Sequence, residues 1–379
     1  GVGGSSTEAL RVWHQGNFGE DLIFGYRGGP LLFWDSDSYD VAVDRGTYLE
    51  DEVGASDVPT VHNKLLISDS RFVFVFGANA IGSSSLDPML IRWSDQEDAV
   101  NWTPSTVNQA GSIRLLRGNE IVTAVQVRQE ILVWTDTTLY SLQFVGAPEV
   151  WGQQIAGDNL TIVSPNAVAF VDDAVYWMGR GKFYMYRGAV KTMDCDVLRY
   201  VFNDFDDTQQ LQVFAGANEQ FNEVWWFYPS SESDVVDKYV VYNYEQEIWY
   251  YGTLGRTAWL DAAYPMAATY DNMLVQHEVG IDDESDATAI AIEAYIESSE
   301  FDIADGDQQM LITAVYPDIV FEGSTVSDPN VTLSLLARKE SGLRTRPSVR
   351  RWEQYRGGDP YSNQPCGSVH GAPSDARAW

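Results

Sequence analysis

Between Thr123 and Gly188 the apolar positions follow a pattern that the rest of the chain repeats less plainly. The stretch reads TAVQVRQEILVWTDTTLYSLQFVGAPEVWGQQIAGDNLTIVSPNAVAFVDDAVYWMGRGKFYMYRG. An apolar run ends in Trp (ILVW, AVYW), a tight polar turn follows (TDTT, MGRGK), and an aromatic alternating run comes next (LYSLQF, FYMYRG). Alternation of this kind marks a half-buried strand, and Gly- or Asp-rich gaps between such runs are hairpin turns. The pattern predicts one sheet-forming unit used twice, with Gly146 and Gly188 closing the two copies.

Upstream, GVGGSST is a flexible lead-in of small residues. ALRVWHQGNFGEDLIFGYRGGPLLFWDSDS then predicts two or three short strands broken at Gly16, Gly19, Gly25 and the Gly28-Gly29-Pro30 turn. Val58 to Gly77 reads as strand, turn, strand, and MLIRWSDQEDAVNWTP (89–104) is another apolar run ending in Trp. Residues 195–213 are the best helix candidate, with Val197, Val201 and Phe205 spaced four apart. EVWWFYPSSESDVVDKYVVYNYEQEIWYYGTLG (223–255) predicts a hairpin and a further strand.

The tryptophans Trp93, Trp134, Trp177 and Trp225 end their strands at intervals of 41, 43 and 48 residues. A period of about 40–50 residues with several strands per unit is the signature of propeller blades, sheets that cannot cover both faces alone and so stack around an axis. The fold expected is therefore all-β: a β-propeller-like domain over 1–286, with stacked β-sandwiches as the second choice. From Ala287 the runs lengthen and lose aromatics (AIAIEAYIESSEFDI, QQMLITAVYPDIVFEG, NVTLSLLARKE), predicting an additional antiparallel β-module of long strands over 287–337. Residues 338–379 are rich in Gly, Pro, Ser and Arg with little periodicity, and predict an irregular arm.

Composition adds constraints. The chain has 379 residues, 45% hydrophobic and 13% aromatic, so it can bury a large core. Its formal charge is −31, which disfavours holding nucleic acid or anionic lipid through a basic patch. The charge is uneven: 338–379 carries net +4, and a basic arm on an acidic body suggests docking onto a neighbouring acidic subunit. No apolar run reaches the length of a membrane span. The chain starts at Gly1 without an initiator Met, as expected of a processed or incomplete form.

The search for chemistry yields no catalytic, cofactor-binding or metal-binding residues, and no cofactor is expected. Cys195 and Cys366 lie far apart and form no CxxC. GxSxG, GxxxxGK[ST], HExxH and strand-to-helix GxGxxG are absent. The DSDSYD run at 35–40 lacks the Gly and Glu of an EF-hand loop and reads as a solvated turn. Asp95, Glu97 and Asp98 share one loop with no basic partner in view, and Asp302, Asp305, Gly306 and Asp307 read as a hairpin turn. His62 has no second histidine near it in sequence, which argues for a structural or surface role, and His277 and Glu278 stand alone. Exposed Trp225, Trp226 or Trp249 beside two carboxylates would suit a sugar, but packing is the plainer reading.

Several ordered phrases resemble one family. RVWHQGNFGEDLIF with GGPLLFWD, IRWSDQEDAVNWTP, EILVWTDTTLYSLQFVG, SPNAVAFVDDAVYWMGRGKFYMYRG and ESSEFDIADGDQQMLITAVYPDIVF are similar to tail nozzle (tail hub, tubular or stabilisation) proteins of short-tailed bacteriophages. The resemblance covers roughly residues 10–337. It implies a propeller-containing virion protein, assembled in the host cytoplasm, with six copies in a ring below the portal and adaptor. Such a homohexamer would contact the adaptor ring and tail fibre or needle proteins. Double-stranded DNA would pass through the channel without specific binding, and the protein would serve assembly, genome retention and ejection. Two departures stand out: family members usually have a preceding N-terminal part, and 338–379 does not match their usual ending. That segment is either a divergent docking arm or the product of a reading-frame change near Leu336. Part of the negative charge is expected to line the channel, where cationic contacts would add friction to DNA. The alternatives are a carbohydrate-binding or glycan-degrading propeller on a virion or cell surface, and a general interaction platform.

Overall fold

The computed structural model describes residues 10–40 and 43–280, together with the short pieces 282–283, 290–291, 295, 312–313, 319–320, 330–337 and 348–356. Six antiparallel sheets follow one another along the chain. The first holds β1 (Trp13–Phe18), β2 (Asp21–Tyr26), β3 (Leu31–Trp34) and β4 (Thr47–Tyr48). The second holds β5 (His62–Ile67), β6 (Val73–Asn79), β7 (Leu86–Trp93) and β8 (Gly111–Arg114). The third is β9 (Ile121–Gln126), β10 (Glu130–Thr135), β11 (Thr138–Gly146) and β12 (Val150–Asp158). The fourth is β13 (Val168–Val171), β14 (Ala174–Met178), β15 (Phe183–Tyr186) and β16 (Val190–Thr192). After helix α1 (Leu198–Asp204) the fifth comprises β17 (Phe214–Asn218), β18 (Glu223–Tyr228), β19 (Lys238–Asn243) and β20 (Ile248–Thr253). The sixth has three strands, β21 (Ala258–Leu260), β22 (Met266–Ala268) and β23 (Leu274–Gln276). Each sheet pairs its strands in sequence order, the up-and-down meander of a blade, and the arrangement is a six-bladed β-propeller.

The first strands of successive blades lie side by side: β1 by β5, β5 by β9, β13 by β17 and β17 by β21. The second strands carry the core. All seven residues of β6 and all five of β14 are buried, and such strands read as unbroken apolar runs because both faces are covered. Hydrophobic clusters cross the blade boundaries. Leu31 and Ile23 pack with Leu65 and Val75 between blades 1 and 2, and Phe74 and Ile91 pack with Val133 and Trp151 between blades 2 and 3. A larger cluster joins blades 3, 4 and 5.

The expected two-copy unit is blades 3 and 4, and the tryptophans do pack between sheets. Trp134 and Trp177 are fully buried and meet edge to face at 5.4 Å. Trp177 Nε1 donates to Thr161 O at 3.1 Å. In blade 5 the equivalent residue is Trp226, fully buried, whose Nε1 donates to Ala167 O in blade 4 at 3.2 Å. Trp225 points to the other face of β18, because successive strand residues alternate sides, and packs on Trp259 of blade 6 at 5.6 Å. Trp93 is likewise out of phase, since it ends the third strand of its blade. Gly146 and Gly188 close third strands; β12 and β16 still follow. Gly216 has a packing reason: a Cβ there would meet Trp259 Cδ1 at 2.1 Å, so bare backbone lets the indole lie on blade 5.

The predicted helix over 195–213 is shorter and broken. Helix α1 covers Leu198–Asp204, and a 3-10 turn takes Asp207–Gln212. Phe205 between them is extended (φ −68°, ψ 129°), which sets its ring against Tyr228 at 6.3 Å. Strand β17 then follows where VFAGAN gives little pattern to read.

The chain divides into two compact units, Gly1–Ile292 and Glu293–Trp379. In the first, β24 (Asp282–Asp283) pairs with β25 (Ile290–Ala291) after the last blade. In the second, β26 (Asn330–Ala337) pairs antiparallel with β27 (Ser348–Arg356), with an irregularity between Val331 and Leu333. Within NVTLSLLARKE, Asn330–Ala337 form a long strand; 338–340 and most of 287–329 lie outside the described residues. The segment 338–379 is not irregular throughout. Nine of its residues form β27, where backbone pairing to the regular β26 supplies order that side-chain periodicity did not signal.

Trp134 Nε1 has no hydrogen-bond partner, whereas Trp226 Nε1 has one. Trp226→Phe should therefore cost more stability than Trp134→Phe, by about 1 kcal/mol, because it removes one of the two hydrogen bonds that Ala167 O accepts, leaving the one from Met178 N at 3.0 Å, while the other change removes an unpaired donor. Urea denaturation midpoints of the two variants check this; an equal or reversed order contradicts it.

Candidate functional site

Three places gather polar chemistry. The first lies on the inner strands of blades 1 and 2. The alternation of β5 turns Leu65 into the core and leaves His62 and Lys64 on the opposite side of the strand. Backbone bonds between His62 and the Gly28-Gly29 turn (His62 N to Gly29 O 3.1 Å, Gly28 N to His62 O 2.7 Å) fasten blade 2 to blade 1. The imidazole of His62 is wholly buried against Gly25, where a Cβ would stand 2.6 Å from its Cε1. Neither of its ring nitrogens has a partner. His14, on β1, is also buried; its Nε2 lies 3.0 Å from Asn63 O and its Nδ1 has no partner.

Arg27 reaches from the β2–β3 turn to blade 3, donating to Glu120 Oε2 at 3.2 Å and Val122 O at 3.3 Å. Burial, reinforced by the charges of Lys64 and His62, presses the His14 pKa down to about 2. Burial presses His62 down to about 4. Lys64 is half-buried; partial burial, with the Arg27 charge second, brings its pKa down to about 8. His62 thus has a histidine neighbour after all. Forty-eight residues separate the two in sequence, and only blade stacking joins them.

The second place lies between blades 5 and 6. Glu223 Oε2 accepts from Trp225 Nε1 at 2.9 Å, and its other oxygen accepts from Tyr250 Oη. Asn218 Nδ2 donates to Glu278 Oε1 at 3.1 Å and, more weakly, to Glu223 Oε2 at 3.4 Å, so it bridges two carboxylates. Burial, then the Glu223 charge, raises the Glu278 pKa. Glu278 does not stand alone, and neither does His277, whose ring lies 4.8 Å from Trp259 and whose Nε2 accepts from Arg256 Nε at 3.2 Å.

The third is a groove of about 270 Å³ between blades 3 and 4, lined by Arg128, Glu130, Phe170, Asp173 and Tyr186. Its charges are already engaged: Arg128 pairs with Asp173 at 2.5 Å, and Glu130 accepts from Tyr186 Oη at 2.7 Å and from Ser141 Oγ. The turns TDTT and MGRGK meet elsewhere. Asp136 and Arg180 line a smaller cavity of about 70 Å³ together with Arg27 and Glu120.

The remaining sequence expectations are placed as follows. Asp95 serves its own loop, with Oδ1 accepting from Gln96 N at 2.9 Å and Gln109 N at 2.8 Å. Asp35 does the same within DSDSYD, accepting from Asp37 N and Ser38 N. Asp302, Asp305, Gly306, Asp307 and Cys366 lie outside the described residues. Cys195 is half-buried and free, and burial pushes its thiol up to about 12. Trp226 is core, and Trp249 stacks on Trp226 and Phe183 with Nε1 donating to Asp194 O. These aromatics therefore pack, as the plainer reading expected. Among the described residues no three His, Cys, Asp or Glu side chains gather as a metal site, and no helix is long and apolar enough to cross a membrane.

No protein-family model matches the chain. No curated protein matches it either. Solved structures similar to it include the computationally designed Ika8 protein (12% identity, TM-score 0.41, 69% of each chain covered). The N-terminal domain of Nup159 aligns at 8% identity and TM-score 0.42, over 76% of this chain and 80% of that one. Hsv2p of Kluyveromyces lactis aligns at 9% and 0.36, over 68% and 70%. At these TM-scores the likenesses speak neither to ancestry nor to activity.

The two histidines set an acid limit. Their folded pKa values of about 4 and 2 lie below the unfolded value of about 6.5. The unfolded chain therefore binds more protons as pH falls, and the fold loses up to about 1.4 kcal/mol per pH unit per histidine below about 6.5. The stability that is full above that pH declines towards pH 4. In urea titrations from pH 7 to 4, His62→Gln should flatten this decline relative to wild type; an unchanged slope refutes it.

Proposed function

We propose that this chain is a structural, non-catalytic subunit of a short-tailed phage tail, a nozzle or hub protein forming a ring around the DNA-exit channel. One observation carries the reading: the phrases that resemble the nozzle family fall one after another on the blades. RVWHQGNFGEDLIF and GGPLLFWD cover the strands β1 to β3 of blade 1. IRWSDQEDAVNWTP spans the end of β7 and the loop after it, EILVWTDTTLYSLQFVG is β10 with β11, and SPNAVAFVDDAVYWMGRGKFYMYRG is blade 4 through β15. The resemblance therefore tracks the repeating unit of the fold. The remaining phrase, ESSEFDIADGDQQMLITAVYPDIVF, lies almost wholly outside the described residues.

The charge supports the same role. A subunit with net charge −31 placed around a DNA channel presents a wall that phosphate does not grip, so the genome slides instead of binding. Six copies below portal and adaptor, in contact with fibre or needle proteins, is the assembly this reading carries. The glycan alternative needs open aromatics beside two free carboxylates. Here Trp226 and Trp249 are taken up in packing, and the Glu223–Glu278 pair is bridged by Asn218.

Mass photometry of the purified chain tests the proposal. A ring of six 42.4-kDa copies gives a species near 254 kDa. A chain that stays monomeric at every concentration, and binds a glycan array, moves the assignment to the carbohydrate-binding class.

A further inference from the structure

The groove between blades 3 and 4 holds a carboxylate that no cation among the described residues pairs with. A two-residue turn, Arg128 and Gln129, joins β9 to β10 and is closed by Val127 N donating to Glu130 O at 2.9 Å. The turn sets Glu130 at the seam. Across the seam Phe170, Val175 and Tyr186 stand opposite one another on β13, β14 and β15, so they share one face of blade 4. The buried Val175 and Tyr186 form the base of the groove, the half-buried Phe170 and Glu130 its walls, and the exposed Arg128 and Asp173 its rim.

Glu130 accepts from Tyr186 Oη at 2.7 Å, from Ser141 Oγ and, weakly, from Gln143 Nε2 at 3.4 Å. All three donors are neutral, and none of the six ion pairs among the described residues includes Glu130. The bonds therefore fix the carboxylate in place and leave its charge uncompensated. Arg128 turns to Asp173 instead, at 2.5 Å. Both members of that pair are exposed, so it holds weakly and is easily displaced.

The size and chemistry of the groove narrow its occupant. Its volume of about 270 Å³ lies just below the roughly 300–1,000 Å³ of pockets that take drug-sized ligands, and suits one long side chain. An anion is repelled by Glu130 and Asp173, and an apolar group would strip water from Glu130 without replacing it. A hard metal ion needs about six or more oxygen ligands, more than these two carboxylates offer. A guanidinium on an alkyl chain matches each surface. Its chain lies on Val175, its planar head stacks on an aromatic ring, and its fork of donors reaches carboxylate oxygens. An ammonium has neither the flat face nor the fork.

We propose that the groove between blades 3 and 4 binds an alkylguanidinium, with Glu130 and Asp173 as its charge partners and Phe170 and Tyr186 as its aromatic walls. Arg128 leaves Asp173 when the ligand enters, so the resident pair competes for the site. The guanidinium is that of a partner protein's arginine side chain or of a free small molecule. Its binding is independent of the tail reading.

Ligand-observed NMR titration of the full chain tests this, with agmatine as the free ligand and N-acetyl-arginine amide standing in for a side chain. Saturable binding at one site per chain is expected, and N-acetyl-lysine amide should bind more weakly than the arginine compound. Glu130→Gln keeps an acceptor for Tyr186 and Ser141 but removes the charge, and should weaken binding at least about tenfold. Asp173→Asn, at the exposed rim, should weaken it too without lowering Tm. Arg128→Ala should tighten it about two- to fivefold, the worth of an exposed ion pair. Asp37→Asn, on an exposed loop of blade 1, should change nothing, which separates the site from general attraction to a chain of net charge −31. Binding of the capped arginine points to a partner's side chain as the source, and binding of agmatine alone to a free ligand. No saturable binding of either compound, or binding that neither Glu130→Gln nor Asp173→Asn weakens, overturns the proposal.

Discussion

A four-stranded sheet with apolar residues on both faces cannot be stable in water until both faces are covered, and the rest of this architecture follows from that constraint. The second strands β6, β10 and β14 are buried almost end to end. Each blade is therefore a filling between its neighbours. The large side chains at these seams, Trp134, Trp177, Trp226, Phe74 and Phe183, are fully buried. A fully buried Trp removes about 200 Å² from water, worth roughly 5 kcal/mol as an upper bound, so a few such wedges decide whether blades stack at all.

The same stacking has a polar consequence. Blade-to-blade packing brings first strands together near the axis, and whatever polar side chains they carry are taken out of water with them. On β1 and β5 those are His14, His62 and Lys64, and their ionisation is suppressed by burial more than by any one neighbour. Polar groups at the blade surfaces meet a milder environment. Arg114–Asp87, Arg117–Asp158 and Arg187–Asp172 are exposed pairs of the kind that contribute little to stability. The large negative charge is a net property of the chain, with consequences for solubility and association, and does not build the fold.

A scaffold of this type spends its aromatic side chains on itself. Trp225, Trp249 and Trp259 are each held by stacking or by an indole N–H bond to backbone or carboxylate. A ring-forming structural role is compatible with that economy, whereas sugar recognition asks for aromatics kept free. The pair Glu223 and Glu278 is a packing device of the blade 5 and 6 seam, tied by Asn218 and Tyr250.

The local pattern of the chain was enough to determine the strands, the hairpin turns and the repeating unit. Period-two alternation and Trp-ended runs are properties of neighbouring residues, and blades 3 and 4 were legible for that reason. Phase was less so: Trp93 and Trp225 fit the spacing but sit on the wrong strand or the wrong face, because spacing does not say which side of a sheet a residue takes. The helix before blade 5 broke at Phe205, where contact with Tyr228 outweighed a four-residue spacing. What only the tertiary structure decided is which distant residues meet. His14 and His62, or Glu223 and Glu278, are far apart along the chain and carry no local motif. They become neighbours because strands from different blades must share a seam, and burial at that seam sets their protonation.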